Sequence, residues 1–259
     1  VIAVLSPAKS LDYESALATT KRSEPRMLES ATELVTVMRA KSPADLESLM
    51  SLSPALAQLN YERFRDWAPD HANGGARPAL LAFDGDVYRG LGAAAGFRER
   101  DYTDAQKTLR ILSGLYGLLR PLDAIRPYRL EMGTKLQTAH EADLYAFWGE
   151  SITDALAQDL QASPGSPALV NLASNEYFAA VRVERLGARV VTPTFLDSKD
   201  GGEPRIVSFY AKRARGAMAG WIVRQRIRSV RALSEFDGLG YRYDSERSAR
   251  DAPVFVRAA

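Results

Sequence analysis

The chain has no cysteine. Disulfides, thiolate metal sites, iron–sulfur clusters and a cysteine nucleophile are excluded together. Histidine is nearly absent, with only His71 and His140, so a histidine-rich metal cage is excluded too. Long apolar runs are lacking. The stretches Val1 to Leu5 and Gly216 to Val223 fall far short of the roughly 20 residues that a membrane span needs. No basic segment followed by an apolar run and a cleavage site opens the sequence, so a soluble cytoplasmic protein is expected. No cofactor and no metal are expected, and the sequence leaves the oligomeric state open.

The 259 residues are 46% hydrophobic and 25% charged, the balance of an ordinary globular protein. The net charge is only +2, but its distribution is uneven. Eight of the 34 basic residues fall between Arg205 and Arg231, where no acidic residue occurs, so the remainder is net acidic. Such a run is either a footprint for phosphate or nucleic acid, or a solvated helix whose arginines pair with acids elsewhere.

Strand and helix patterns alternate without a long linker. The expected architecture is α/β, a single domain over residues 1–259 with a central mixed sheet surrounded by helices. Val1 to Leu5, Ala79 to Phe83, Ala168 to Leu172, Val190 to Leu196 and Arg205 to Tyr210 read as strands. Arg26 to Ala40 and Asp101 to Leu112 read as helices, and a basic helix begins near Ala211. Ser42-Pro43 and Ser53-Pro54 each supply an N-cap followed by proline at the first helical position. Pro69 to Pro78, with Asn73-Gly74-Gly75, reads as a loop, and Ser163-Pro164-Gly165 as a turn before the third strand. The tail from Phe236 to Val256 carries Tyr241, Tyr243 and Phe255 among turn residues.

Four of these strands lead into polar residues. The first runs into Ser6-Pro7-Ala8-Lys9 and then Asp12. The second runs into Asp84-Gly85-Asp86-Val87-Tyr88, the third into Ser174-Asn175-Glu176-Tyr177, and the fourth into Lys212-Arg213-Ala214-Arg215. In open α/β sheets, ligands bind beyond the carboxyl ends of strands. Convergence of these ends would set Lys9, Lys212 and Arg215 beside Asp12, Asp86 and Glu176, with helix N-termini after Ser6 and Ser174 favouring an anion. The ordinary structural alternatives are that Ser174 is a plain N-cap and that Lys9 simply pairs with Asp12. Arg129 and Glu131, two apart, would point to one side of a strand, as a grip on a polar substrate or as a buried ion pair. Lys9, Glu131 and Glu176 are the candidates for acid–base work.

The segment Leu109 to Asp123 reads as a helix, a turn bracketed by Gly114 and Gly117, and a second apolar piece limited by Pro121. That is the logic of a helix-hairpin-helix, in which hairpin amides hold a nucleic-acid phosphate; the alternative is a helix C-cap at Gly114.

Taken together, several ordered blocks resemble the YaaA family of peroxide-stress proteins (UPF0246, DUF328). They are Ser6-Pro7-Ala8-Lys9 with Leu11-Asp12, Gly85-Asp86-Val87-Tyr88 with Gly90-Leu91, and Leu112-Ser113-Gly114-Leu115-Tyr116-Gly117 with Leu119-Arg120-Pro121-Leu122-Asp123. They continue with Pro127-Tyr128-Arg129-Leu130-Glu131-Met132, Phe147-Trp148-Gly149, Asn171-Leu172-Ala173-Ser174 with Glu176-Tyr177, and Phe209-Tyr210-Ala211-Lys212 with Ala214-Arg215-Gly216. The resemblance implies a cytosolic α/β protein with a helix-hairpin-helix element and a basic cleft. It also implies DNA binding and a role in limiting free iron during peroxide stress. Carried over residue by residue, Gly114 to Gly117 would be the hairpin, and Lys212, Arg213 and Arg215 would lie on the positive cleft. The set Lys9, Gly114, Gly117, Arg129, Ser174, Lys212, Arg213 and Arg215 is thus the expected DNA- or anion-binding surface. With neither cysteine nor a Glu-x-x-His motif, any effect on iron would be indirect. Two functions stay open: duplex DNA binding, mostly through phosphates, and an enzyme acting on a nucleotide, nucleobase or other phosphorylated metabolite.

Overall fold

The computed structural model describes residues 1–70, 74–163, 167–198 and 202–258. His71 and Asn73 of the expected loop, and Pro164 and Gly165 of the expected turn, lie outside the described residues.

The chain opens on β1 (Ile2–Leu5), wholly buried, and the two-residue β2 (Ser10–Leu11). Three helices follow: α1 (Leu28–Arg39), α2 (Pro43–Met50) and α3 (Pro54–Asp66). The α2 cap is reciprocal. Ser42 Oγ accepts from the Asp45 N–H at 3.2 Å, and the Ser42 N–H donates to Asp45 Oδ2 at 2.8 Å. Only Ser51 to Ser53 join α2 to α3, with Ser51 in the left-handed region at φ 51°.

Next come β3 (Arg77–Pro78), α4 (Ala79–Ala82), β4 (Phe83–Asp84), α5 (Asp86–Leu91), α6 (Ala93–Gly96) and α7 (Glu99–Thr108). Ala79 to Phe83 was expected to be a strand. It is mostly a helical turn, because Ala-Leu-Leu-Ala favours helix and has no β-branched residue. The helix expected over Asp101 to Leu112 stops at Thr108, where β5 (Leu109–Ser113) begins. A run buried on both faces carries no period that separates strand from helix.

β6 (Gly117–Leu119) returns antiparallel to β5. The expected helix-hairpin-helix over Leu109 to Asp123 is therefore corrected to a β-hairpin, and its whole turn is buried. Gly117 has φ +65°, and a Cβ there would meet Met27 Sδ at 2.6 Å. Gly114 touches the Leu130 carbonyl so closely that a Cβ would lie 2.3 Å from it. Both glycines serve packing, and their amides do not reach the surface.

β7 (Ala124–Ile125), α8 (Leu144–Trp148) and α9 (Ser151–Ala162) precede β8 (Ala168–Asn171), α10 (Asn175–Phe178) and β9 (Arg189–Val191). Pro193 divides the expected strand over 190–196, so that β10 (Thr194–Ser198) joins another sheet. Arg205 to Tyr210 is not a strand. Arg205 makes one bridge to Asp197, Ile206 is exposed, and α11 (Ser208–Arg224) has already begun. The tail forms β11 (Arg242–Ala249) and β12 (Ala252–Ala258), which with β10 make a three-stranded sheet over Phe195, Phe236, Tyr241 and Phe255.

The main sheet has the order β6-β5-β1-β8-β9. β5, β1, β8 and β9 are parallel and β6 is antiparallel, so the expected mixed sheet is present in an α/β protein. The chain leaves β1 toward β5 and leaves β8 toward β9, in opposite directions. The carboxyl ends of β1 and β8 therefore flank a topological switch point. No helix of the described residues is long and apolar enough to cross a membrane.

Candidate functional site

A cavity of about 450 Å³ opens beyond the carboxyl ends of β1 and β8. Ser6 to Ser10 after β1 form one side, and Ser174, Glu176 and Tyr177 after β8 another. Asp84 to Tyr88 at the start of α5, Tyr128 to Glu131, and Lys212 and Arg215 on α11 complete it. The four polar segments singled out in the sequence thus meet, although only two of them follow strands of the main sheet.

The two walls after β1 and β8 are tied at Ser6. Its Oγ accepts the Ser174 N–H at 2.8 Å and lies 3.2 Å from Ser174 Oγ. Ser174 is the N-cap residue of α10, but its side chain makes no capping bond and turns to Ser6 instead. The Ser6 carbonyl accepts Tyr88 OH at 2.9 Å, which fixes α5 against the same turn. On α5, Gly90 faces the Arg213 carbonyl of α11, and a Cβ would lie 2.0 Å from that oxygen. The two helices approach at backbone distance, so Asp86, Lys212 and Arg215 are held in fixed relation.

Tyr128 to Met132 alternate buried and accessible positions, as extended chain does, before the turn at Met132 and Gly133. Tyr128 and Leu130 point inward while Arg129 and Glu131 share the other side, as their spacing implied. Glu131 bonds both cations: Oε1 lies 3.0 Å from Arg129 Nη2, and Oε2 lies 2.9 Å from Lys9 Nζ. The alternative pairing of Lys9 with Asp12 is corrected here. Asp12 accepts the backbone N–H groups of Glu14 and Ser15, at 3.0 and 2.9 Å, and does not line the cavity.

Glu176 Oε1 accepts the Gly133 N–H at 3.0 Å, and Tyr145 OH donates to the Glu176 carbonyl at 2.8 Å. Among the described residues Glu176 and Asp86 form no ion pair, and neither do Lys212 and Arg215. Arg215 is half-buried. Burial pulls its guanidinium below its usual value, and its Nε reaches only the Ala211 carbonyl, at 3.4 Å. The apolar wall is aromatic. Burial raises the phenols of Tyr88, Tyr128 and Tyr177, so all three stay neutral; Tyr88 OH donates to the Ser6 carbonyl, while Tyr177 accepts from the Met132 N–H.

The cleft was expected to be basic. Its lining is charge-balanced instead, with Lys9, Arg129, Lys212 and Arg215 against Asp84, Asp86, Glu131 and Glu176. Part of the basic run is spent elsewhere: Arg226 bonds Asp101 at 2.7 Å and also Asp104, and Arg228 approaches Asp104 at 3.4 Å. Arg224 lies over the Phe97 ring. Arg213 is exposed outside the cavity, and Gly114 and Gly117 are outside it too. Sequence reasoning missed Tyr128 as a wall and Gly133 as the donor to Glu176. The alternation from Tyr128 onward was the available signal for the first. Among the described residues no group of three or more His, Asp or Glu side chains converges as a metal site.

Fold and cavity define an α/β protein with a ligand-sized, charged hollow at the switch point of a mostly parallel sheet. Residues 1–247 match the family model described as peroxide stress protein YaaA. A UPF0246 protein of Idiomarina loihiensis is 53% identical over 258 residues, covering 100% of this chain and 99% of the relative. A UPF0246 protein of Tolumonas auensis is 52% identical over 257 residues, covering 99% and 98%. The chain belongs to the YaaA (UPF0246) family of peroxide stress proteins.

Proposed function

We propose that this peroxide-stress protein works through a small phosphorylated ligand bound in the cavity against Lys212 and Arg215. The observation that carries the reading is Arg215, a half-buried guanidinium lining the cavity with no carboxylate in ion-pair range among the described residues. Removing a charge from water without a counter-ion is unfavourable, and an incoming anion relieves it. Ser6 donates its hydroxyl to Ser174 Oγ, which leaves the Ser174 hydroxyl as a donor near the same turn. Lys9 and Glu131, two of the acid–base candidates, are engaged with one another, so any proton transfer to the ligand falls to Glu176 or Asp86. Calorimetry with inorganic phosphate, ribose 5-phosphate and nucleoside monophosphates tests this. Binding should weaken by about tenfold or more in Arg215→Ala, as for loss of a charge-assisted hydrogen bond. No heat and no thermal shift with any of them would end the proposal.

A second reading is duplex DNA binding through phosphates, and it has its own support. Lys212 and Arg213 are exposed without ion pairs, beside exposed Phe209 and Tyr210, at the start of α11. Such binding should fall steeply with salt and be lost in Lys212→Glu with Arg213→Glu. The Gly114–Gly117 turn is buried, so it offers no hairpin contact to DNA phosphate. In either reading protection against iron is indirect, through DNA or a metabolite.

A further inference from the structure

Of the eight charged side chains lining the cavity, four are consumed within the protein. Lys9 and Arg129 share Glu131, and Asp84 bonds Arg89 at 3.0 Å. The other four, Lys212, Arg215, Asp86 and Glu176, form no ion pair with one another or with any other described residue. A site for a simple anion has no use for two free carboxylates, which repel phosphate. The pattern fits a ligand that carries both an anion and hydrogen-bond donors.

Resting on the reading of a phosphorylated ligand, we infer that the ligand is a nucleotide with a guanine-type base, whose N–H donors are accepted by Asp86 and Glu176 while its phosphate meets Lys212 and Arg215. A carboxylate accepts only, with two oxygens side by side. Among the bases, guanine alone offers an amide N–H next to an amino group, matching both oxygens. Adenine and cytosine set one amino donor beside a ring-nitrogen acceptor, and uracil flanks its N–H with two carbonyls, so each turns an acceptor toward the carboxylate. The Gly133 N–H bonds Glu176 Oε1, which fixes the carboxylate's orientation; each carboxylate oxygen has two acceptor positions, so both still serve the ligand. Tyr88, Tyr128 and Tyr177 supply the aromatic wall that a planar base needs. The volume, about 450 Å³, lies within the usual range for such ligands.

Titration calorimetry of the full chain with GMP, IMP, AMP and ribose 5-phosphate tests the inference. GMP should bind at least about tenfold tighter than IMP, which lacks the amino donor, and tighter still than AMP. Glu176→Gln and Asp86→Asn should together reduce GMP to the level of ribose 5-phosphate, while ribose 5-phosphate itself binds no more weakly than before. Thermal melts check that the variants fold, and the wild-type comparison of bases stands without them. Equal binding of GMP and AMP overturns the guanine assignment but leaves the phosphate reading intact, provided Arg215→Ala weakens both. Absence of binding by all four ligands overturns the two together.

Discussion

Gly216 lies directly against the Val87 backbone: a Cβ built on it would stand 1.7 Å from the Val87 carbonyl oxygen. A single hydrogen at this position is what lets α11 carry Lys212 and Arg215 to the rim that Asp86 and Tyr88 form from α5. The obstructing atom is main chain, so no rotamer change relieves the contact.

Gly216→Ala should therefore separate the helices and destabilise the protein by about 3 kcal/mol or more, read from urea denaturation. Gly96→Ala is the control. Nothing lies within 4 Å of a Cβ there, and the residue is helical, so the change should be neutral or stabilise by about 0.5 kcal/mol. Equal effects of the two substitutions would refute the account of the α5–α11 contact.

Glu131 and its two cations should respond unequally. Lys9 is 66% exposed, so Lys9→Ala should shift stability by less than about 1 kcal/mol. Glu131→Ala strands Arg129, which is only 16% exposed, and should destabilise by about 2 kcal/mol. Chemical denaturation of both variants decides between this hierarchy and a symmetric triad.

The convergence of Lys9 and Glu176 was legible in the sequence because β1 and β8 end in polar residues; Lys212 and Arg215 reach the same site from α11, without the strand expected before them. The sign of the cleft was not legible. The basic run was visible, but its pairing with Asp101 and Asp104 depends on which face of α7 meets the end of α11. The β5–β6 hairpin was misread as helical because every residue from Leu109 to Leu119 is buried, which erases the alternation that marks a strand. Even Arg110 lies inside, where Asp159 meets it at 2.6 Å. The tail hairpin was missed for the opposite reason: β11 is mostly exposed and polar, and its partner β12 is held on its other side by β10, which lies far upstream in the chain.

Arg215 should behave as a residue kept for binding at the expense of stability. Arg215→Met keeps the aliphatic stem and removes a half-buried charge that has no counter-ion. The variant should melt at the same temperature as the parent or higher, while phosphate, nucleotide or DNA no longer stabilises it. A clear loss of melting temperature without ligand would instead give Arg215 a structural partner.

Asp159 should make stability depend on pH in a defined direction. Burial raises its carboxyl, but hydrogen bonds from Arg110 and Arg26 outweigh burial and hold it below the usual carboxylate range. Arg110 Nε lies 2.6 Å and Arg26 Nη2 2.8 Å from Oδ2, and Oδ1 takes a second bond from Arg26 at 3.1 Å. The folded chain thus binds this proton less readily than the unfolded chain. Its contribution is complete above the unfolded carboxylate value, near 3.8, and is lost as pH falls below that toward the folded one. Asp159→Asn should lower stability at pH 7 by about 3 kcal/mol, because the well-buried Arg110 loses its counter-ion. The gap between parent and variant should narrow as pH falls from 5 toward about 2, since the parent then carries a neutral carboxyl at the same place. Asp101, also lowered despite burial, by the Arg98 N–H and then by Arg226, acts in the same direction in both proteins and cancels in the difference. Urea midpoints of the two proteins across that range measure the gap directly, and a gap independent of pH would mean that Asp159 acts through its shape and not its charge.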